Sequence, residues 1–304
     1  MISFRYHIVS IVAVFLALAL GIVVGTTALN GPVTSDLRHQ VDGLKTDRSE
    51  LADQVKALQG QVDTAGQFAT TFGAQLVAGS LKDQSVLIVA LPGTATGMED
   101  GIAALLTAAG AKITGRLDLA PSFTDAAQAD SIVNLATGPA HSPDLTLPET
   151  SDARVIGAAL LAFVLTGHGQ PTDLKAVLGG FSGLHMITSD PQGIEPAKMV
   201  VMLGNGSLPK NVYAGEAGLD LVTRLTLAGA KVVVAGDTGS AQGNGIVAGV
   251  RNGNAKATVS TIDNADSAFG QVSTVLAVAG AEQSQIGQYG TEKGAQALLP
   301  TSVK

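Results

Sequence analysis

The sequence predicts an α/β protein with an N-terminal transmembrane helix, a parallel coiled-coil stalk and a doubly wound, mainly parallel sheet domain. Three observations support this fold class: an uncharged apolar run near the N-terminus, a heptad repeat directly after it, and apolar strands that alternate with helices along the rest of the chain. The expected boundaries are residues 1–30 for the anchor, 31–80 for the stalk and 81–304 for the α/β domain.

The apolar run is long enough to be a membrane anchor. No Asp, Glu, Lys or Arg lies between Arg5 and Asp36, and a helix that crosses a bilayer needs roughly 20 apolar residues. The alternative is a cleaved signal peptide, with Ala17-Leu18-Ala19 as the cleavage site. The apolar run continues beyond that site, so we expect a retained anchor. The short segment before it favours an N-terminus inside and a body outside the cytoplasm.

The next forty residues carry a heptad pattern with leucine at position d and, with one exception, valine at position a. That pattern is typical of a parallel two-stranded coiled coil, in which Arg48 at an a position costs stability but specifies register. The alternative is one amphipathic helix that folds back on the domain. The predicted dimerisation residues are Leu37, Val41, Leu44, Arg48, Leu51, Val55, Leu58 and Val62.

Beyond residue 80, short apolar runs alternate with helical segments. This alternation indicates a parallel sheet with helices on both faces. Strands are predicted at 85–91, 112–119, 197–203, 231–235 and 257–262. Helices are predicted at 97–109, 125–135, 154–166, 172–178, 215–228 and 266–279. The repeated tetrapeptide Ala-Gly-Ala-Lys, at 109–112 and 228–231, leaves open a division into two βα halves near 85–190 and 197–300, although such a tetrapeptide is also an ordinary helix stop.

Composition excludes some classes of function. The net charge of −7 and the absence of a basic stripe argue against nucleic-acid binding. The chain has no cysteine, so disulfides, thiolate metal sites and cysteine nucleophiles are excluded. There is no Gly-x-Ser-x-Gly nucleophile elbow. No catalytic residues are predicted, and we expect a protein that is not an enzyme.

One glycine-rich turn is a weak candidate for a ligand loop. It follows a predicted strand, where open α/β sheets bind ligands. Its spacing matches neither the Rossmann fingerprint nor the P-loop, and tight turns need glycine in any case. The candidate residues are Gly236, Asp237, Gly239, Gly243 and Gly245.

Metal ligands are scarce in this sequence. Imidazole and thioether groups suit Cu(I), which makes His185, Met186 and His168 weak candidates. In a strand, however, neighbours face opposite sides, so His185 and Met186 would not chelate together. The residues alone support no metal site, and no cofactor is predicted from them.

Several segments together resemble one known family. They are residues 1–10 (MISFRYHIVS), 15–25 (FLALALGIVVG), 260–266 (STIDNAD), 287–294 (GQYGTEKG) and 298–300 (LLP). These segments are similar to the actinobacterial MctB family, also known as SteB, and the resemblance covers essentially the whole chain. It implies a role in copper transport or homeostasis in the cell envelope, and copper is the cofactor that the resemblance alone suggests.

The resemblance also implies alternatives. Some members of the family are linked to cell separation, through a membrane partner, SteA, and control of a peptidoglycan hydrolase; a scaffold of that kind is the second expected function. An α/β domain that binds a small ligand is the third. The family is also described as an outer-membrane channel, but a barrel needs many alternating strands of about ten residues. We therefore expect a single-pass protein of the cell membrane whose partners are itself, the bilayer and an envelope protein such as SteA.

Overall fold

The computed structural model describes residues 4–138, 144–189, 193–206 and 212–301, and the side chains of these except 27–36 and 212–215. The first element is a continuous helix, α1 (Phe4–Val77). The chain divides into two compact units, Met1–Thr64 and Ala65–Lys304. In the first unit, the segment Phe4–Thr26 is long and apolar enough to cross a membrane. The predicted N-terminal apolar helix is therefore present.

The second unit is built around a six-stranded parallel sheet. The strand order is β2-β1-β3-β4-β5-β6, and every neighbouring pair is parallel. The strands are β1 (Ser85–Ala90), β2 (Lys112–Asp118), β3 (Met199–Gly204), β4 (Lys231–Gly236), β5 (Ser260–Ile262) and β6 (Gln288–Tyr289). The strand order reverses between β1 and β3, where such sheets form a crevice at the carboxyl ends of the strands. The predicted α/β fold with a mainly parallel sheet is confirmed.

Seven further helices connect and cover the described strands. They are α2 (Thr96–Ala108), α3 (Ala129–Thr137), α4 (Ala153–Leu165), α5 (Pro171–Gly183), α6 (Val212–Leu227), α7 (Ile246–Asn252) and α8 (Ala268–Glu282). Most bounds fall within a few residues of those predicted. The predicted strand 257–262 was wrong at its start, because Asn254–Ala257 forms a 3-10 helix and β5 begins only at Ser260. Strand β6 was not predicted, since two residues carry no detectable periodicity.

The sheet separates two hydrophobic cores. Strand β3 shows the division: Val200 and Met202 belong to one core, while Met199 and Val201 belong to the other. The first core contains residues of α3 to α7, and the second contains residues of α2, α8 and the end of α1. Because both faces are covered, the strands are apolar on both sides, as expected for a parallel sheet.

The end of α1 packs closely in the second unit. Ala69 and Val77 are buried, and Gly73 lies between them on the same face. A Cβ at Gly73 would lie 2.8 Å from Cγ2 of Val272 in α8. Glycine therefore allows the helix to approach the domain here, at a modest cost in helix propensity.

The two Ala-Gly-Ala-Lys segments form the same helix stop. Gly110 and Gly229 have φ of +89° and +87°, the left-handed region that favours glycine. In both turns the glycine N–H and the next N–H bond back to the last carbonyls of the helix, which is the Schellman arrangement. The shared sequence thus has a local physical reason, and internal duplication stays a prediction.

Candidate functional site

The predicted ligand turn, residues 236–245, follows β4 at the carboxyl edge of the sheet. Oδ1 of Asp237 accepts hydrogen bonds from the backbone N–H groups of Gly206 (2.7 Å) and Ser240 (2.9 Å). Ser240 is fully buried, and its hydroxyl donates to the carbonyl oxygen of Asp237 at 2.6 Å. These N–H and hydroxyl groups therefore bond within the protein, and the bond from Gly206 joins the turn to the segment after β3.

The glycines of this turn have structural reasons to be glycine. A Cβ at Gly236 or Gly245 would overlap Ser240, and a Cβ at Gly239 would lie 3.0 Å from the backbone of the turn after β3. Gly243 has φ +52°, which other residues rarely adopt. Packing and backbone conformation thus account for the glycine spacing, and a ligand role for the turn stays a prediction.

A buried polar network joins β5, β6 and α7. Arg251 in α7 donates from Nε to Oγ1 of Thr261 (2.9 Å), from Nη1 to Oδ2 of Asp263 (2.8 Å) and from Nη2 to the carbonyl of Tyr289 (2.7 Å). The hydroxyl of Thr261 donates to Oε1 of Gln288 at 2.7 Å. Arg251, Asp263, Thr261 and Gln288 are all buried.

The carboxylate of Asp263 accepts hydrogen bonds from several groups. Besides Arg251, it accepts the backbone N–H groups of Thr291 (2.8 Å) and Glu292 (3.0 Å). An ion pair with such complete hydrogen bonding is stable in an apolar interior. The network therefore locks the C-terminal segment to the sheet rather than presenting groups to a ligand.

Sequence reasoning missed this network as a structural unit. Its residues lie in the segments 260–266 and 287–294, which resemble the known family, and in α7, whose Arg251 sits in an otherwise apolar stretch. A buried arginine needs a carboxylate, so Arg251 followed by Asp263 was the available signal. The two C-terminal segments that resemble the family thus hold the end of the chain against the sheet.

The three weak metal candidates lie in separate places. His185 is exposed after α5 with φ +55°, and its neighbour Met186 is buried in the core. His168 follows α4, is exposed, and has Nδ1 2.8 Å from Oγ1 of Thr166. Among the described residues, no group of three or more His, Asp and Glu side chains could hold a metal ion. A metal role for these three residues stays a prediction.

The described methionines do not gather at one place either. Met98 and Met199 belong to one core, and Met186 and Met202 belong to the core on the other face of the sheet. All four are 3% exposed or less. Their thioethers fill the interior, as adaptable side chains do.

The eight predicted dimerisation residues are all exposed. The apolar members range from 45% exposed at Val41 to 67% at Leu44, and Arg48 between them is also exposed. Isolated exposed leucines are ordinary, but a periodic series of them on one helix is typical of an interaction face. The series is Leu37, Val41, Leu44, Leu51, Val55, Leu58 and Val62.

One charged cluster lies between α4 and α6. Arg154 donates to Asp152 from Nε (3.1 Å) and from Nη2 (2.6 Å), and it donates from Nη1 to Glu216. Asp220 is more distant, with Oδ2 3.7 Å from Nε of Arg154. The hydrogen bonds from Arg154 lower the pKa of Asp152, whereas burial raises the pKa of Asp220. Three carboxylates thus share one guanidinium.

These observations define a class of protein: an α/β domain that carries one N-terminal helix suited to anchoring in a membrane. A family model described as "Copper transport outer membrane protein, MctB" matches residues 1–300. The chain therefore belongs to the MctB family, as its N- and C-terminal segments indicated.

Curated relatives cover nearly the whole chain. A protein named "Copper transporter MctB" from Mycobacterium tuberculosis (strain ATCC 25618 / H37Rv) is 30% identical over 317 residues, which is 98% of this chain and 99% of the relative. A protein of the same name from Mycobacterium leprae (strain TN) is 30% identical over 318 residues, with the same coverage. These relatives are named as transporters rather than as enzymes, in line with the prediction of a non-enzymatic protein.

Proposed function

We propose that the protein is a membrane-anchored, parallel homodimer of the cell envelope with a role in copper transport or homeostasis. Membership of the MctB family and the names of the relatives support the role in copper. The apolar segment Phe4–Thr26 supports the anchor. In this proposal the body lies outside the cytoplasm and the anchor crosses the membrane once.

The exposed heptad face is the main observation that supports the proposed dimer. Its leucines and valines keep the d and a spacing over four heptads, and each is at least 45% exposed in the single chain. Burying an exposed leucine or valine contributes roughly 1.5–3 kcal/mol. Pairing with the same face of a second copy buries the whole series, and parallel pairing places both anchors in one membrane.

Disulfide trapping tests the dimer directly. Because the chain has no cysteine, a single introduced thiol reports on its own position only. In oxidised native membranes, Leu51→Cys at a d position is expected to link two chains. The matched control Asp53→Cys lies on the outer face of the same heptad and is expected to remain monomeric. Absence of a linked dimer with Leu51→Cys, or equal linking with both variants, would contradict the proposal.

The role in copper is tested separately from the dimer. Deletion of the gene in its host is expected to change cellular copper content, measured by mass spectrometry at several external copper concentrations. The wild-type gene should restore that content. A double variant, Leu44→Asp with Leu51→Asp, should fail to restore it if pairing is needed. Unchanged copper content in the deletion strain would contradict a role in copper, whatever the state of the dimer.

A scaffold for cell separation is the second candidate function. In it the protein binds a membrane partner such as SteA and controls a peptidoglycan hydrolase without catalysis. The exposed aromatic pair near the end of α1 favours a partner surface: Phe68 and Phe72 are 58% and 42% exposed, with ring centroids 4.9 Å apart. The double variant Phe68→Ser with Phe72→Ser should then impair separation of daughter cells while copper content stays normal. Normal separation in that variant would count against this surface.

A further inference from the structure

A cavity opens at the amino-terminal edge of the sheet, the edge opposite the glycine turns. Its volume is about 380 Å³. The starts of β3 and β4 contribute Lys198, Met199 and Lys231, and Gln84 precedes β1. The ends of three helices complete the wall, with Thr166 and His168 after α4, residues 228–230 after α6, and Glu282 at the end of α8.

Two ammonium groups at this cavity lack a carboxylate partner. Among the described residues, no Asp or Glu oxygen lies within 4.0 Å of Nζ of Lys198 or of Lys231. The nearest recorded partner of Lys231 is Oγ of Ser284, at 3.5 Å. Glu282, the acidic residue in the wall, instead accepts a hydrogen bond from Nε2 of Gln84 at 2.6 Å. The wall thus carries two ammonium groups and one carboxylate, and neither ammonium group forms an ion pair with that carboxylate.

The third polar group, His168, is held in a defined orientation. Its ring stacks on Phe163, with centroids 6.2 Å apart. The hydroxyl hydrogen of Thr166 is used on the carbonyl of Ala162, at 2.7 Å. Oγ1 of Thr166 also lies 2.8 Å from Nδ1 of His168, within hydrogen-bond distance. Nε2 of His168 has no hydrogen-bond partner in the described part of the chain, so it is available to bind a ligand.

We propose that this cavity binds a small oxyanion, a molecule bearing a phosphate or carboxylate group. Lys198 and Lys231 pair with the anionic oxygens, as lysine does in phosphate sites, and His168 hydrogen-bonds a neighbouring hydroxyl. The chain as a whole carries a net charge of −7, which disfavours anions, so local cations are required for such binding. This site is separate from the predicted glycine turn and independent of the role in copper.

The lysines also face the carboxyl ends of α4, α6 and α8, whose partial negative charge they balance. A purely structural role would make both lysines matter for stability and neither for binding. The experiment must therefore measure binding by folded variants, with thermal unfolding recorded for each of them.

Calorimetry on the full chain in detergent, at low ionic strength, tests the proposal with pyrophosphate and citrate as probes. Wild-type protein is expected to bind at least one of them. Lys198→Gln and Lys231→Gln should each weaken that binding about fivefold or more, the loss of a charged hydrogen bond at a partly open site. Lys175→Gln, which removes an exposed charge from α5 away from the cavity, should leave affinity unchanged. An equal loss in Lys175→Gln would overturn the proposal, as would a wild type that binds neither soluble probe and is not protected by lipid vesicles in the footprint described next.

A chemical footprint locates the site and separates two sources of the anion. Acetylation of Lys198 and Lys231, measured by mass spectrometry, should slow when the site is filled, while acetylation of Lys175 does not. Protection by soluble pyrophosphate indicates a free metabolite. Protection only by phosphatidylglycerol vesicles indicates a lipid headgroup. Failure of both to protect the two cavity lysines would overturn the proposal even if heat is detected.

Discussion

Arg251 and Asp263 form an ion pair in the interior of the α/β domain. Nη1 of Arg251 lies 2.8 Å from Oδ2 of Asp263, and the two side chains are 2% and 0% exposed. Burial removes both charges from water, which costs several kcal/mol per ion unless hydrogen bonds compensate. Here the strand ends and the segment after β6 supply those bonds, so the pair fastens the C-terminal segment to β5.

Removing one member of this pair is predicted to destabilise the domain strongly. Arg251→Met leaves the buried carboxylate of Asp263 without a cation, and the free energy of unfolding should fall by about 3–5 kcal/mol. The control is Lys112→Met. Lys112 pairs with Glu195 at the surface, where the side chains are 67% and 62% exposed, so its loss should cost less than about 1 kcal/mol. Urea unfolding followed by circular dichroism measures both, and equal losses would refute the assignment.

Gly290 is predicted to tolerate no side chain. Its φ is +129°, and a Cβ there would overlap the carboxylate of Asp263. Gly290→Ala should therefore lower the free energy of unfolding by about 2 kcal/mol or more. Gly179→Ala, in α5, meets nothing within 4 Å and should stabilise by roughly 0.5–1 kcal/mol. The urea midpoint should fall in Gly290→Ala and rise in Gly179→Ala. An unchanged midpoint in Gly290→Ala would show that the segment around Asp263 can shift to accept a side chain.

Asp220 is predicted to make stability depend on pH. Burial raises its pKa in the folded protein, so the folded state holds the proton more tightly than the unfolded state. The ionised carboxylate of Asp220 destabilises the folded state. This destabilisation grows as pH rises from the unfolded pKa through the folded pKa, and it is complete above the folded pKa. Asp220→Asn should thus stabilise the domain at neutral pH and flatten the profile. An Asp220→Asn profile of melting temperature against pH that matches the wild type would contradict this prediction.

Arg48 is predicted to weaken the proposed dimer while setting its register. It occupies an a position among leucines and valines and is exposed in the single chain. Arg48→Leu should tighten association by about 1 kcal/mol or more, because an apolar side chain replaces a charged one in the seam. Lys56→Leu, at an outer heptad position, should have little effect. Sedimentation in detergent measures both dissociation constants. An equal change in the dissociation constant of both variants would show that Arg48 does not lie between the two helices.

Much of the fold was predictable from local patterns. The runs that became β1 and β4 are short, β-branched and flanked by glycine or proline turns, and Gly110 and Gly229 mark helix ends by their freedom to adopt positive φ. These signals lie within ten residues of the elements they define. Strand β6 lacked such a signal because a strand of two residues is too short to show a period.

The polar network and the cavity were not predictable in this way. Arg251 contacts Asp263, Tyr289 and Lys293, and apart from an arginine in an otherwise apolar stretch no signal in the sequence indicates that these segments converge. Likewise, Lys198 and Lys231 are ordinary surface lysines until the sheet places their strands side by side. The glycine turn lies after β4, its glycines are accounted for by the protein's own packing, and its role in binding a ligand stays a prediction.

The placement of sulfur keeps the described methionines away from oxidants in solution. Oxidation of methionine to the sulfoxide follows solvent access, and it turns a flexible apolar side chain into a polar one that disrupts cores. Every described methionine is 3% exposed or less, and the chain has no thiol. Peroxide or a redox-active metal ion in solution therefore meets no sulfur atom on the surface of the described residues.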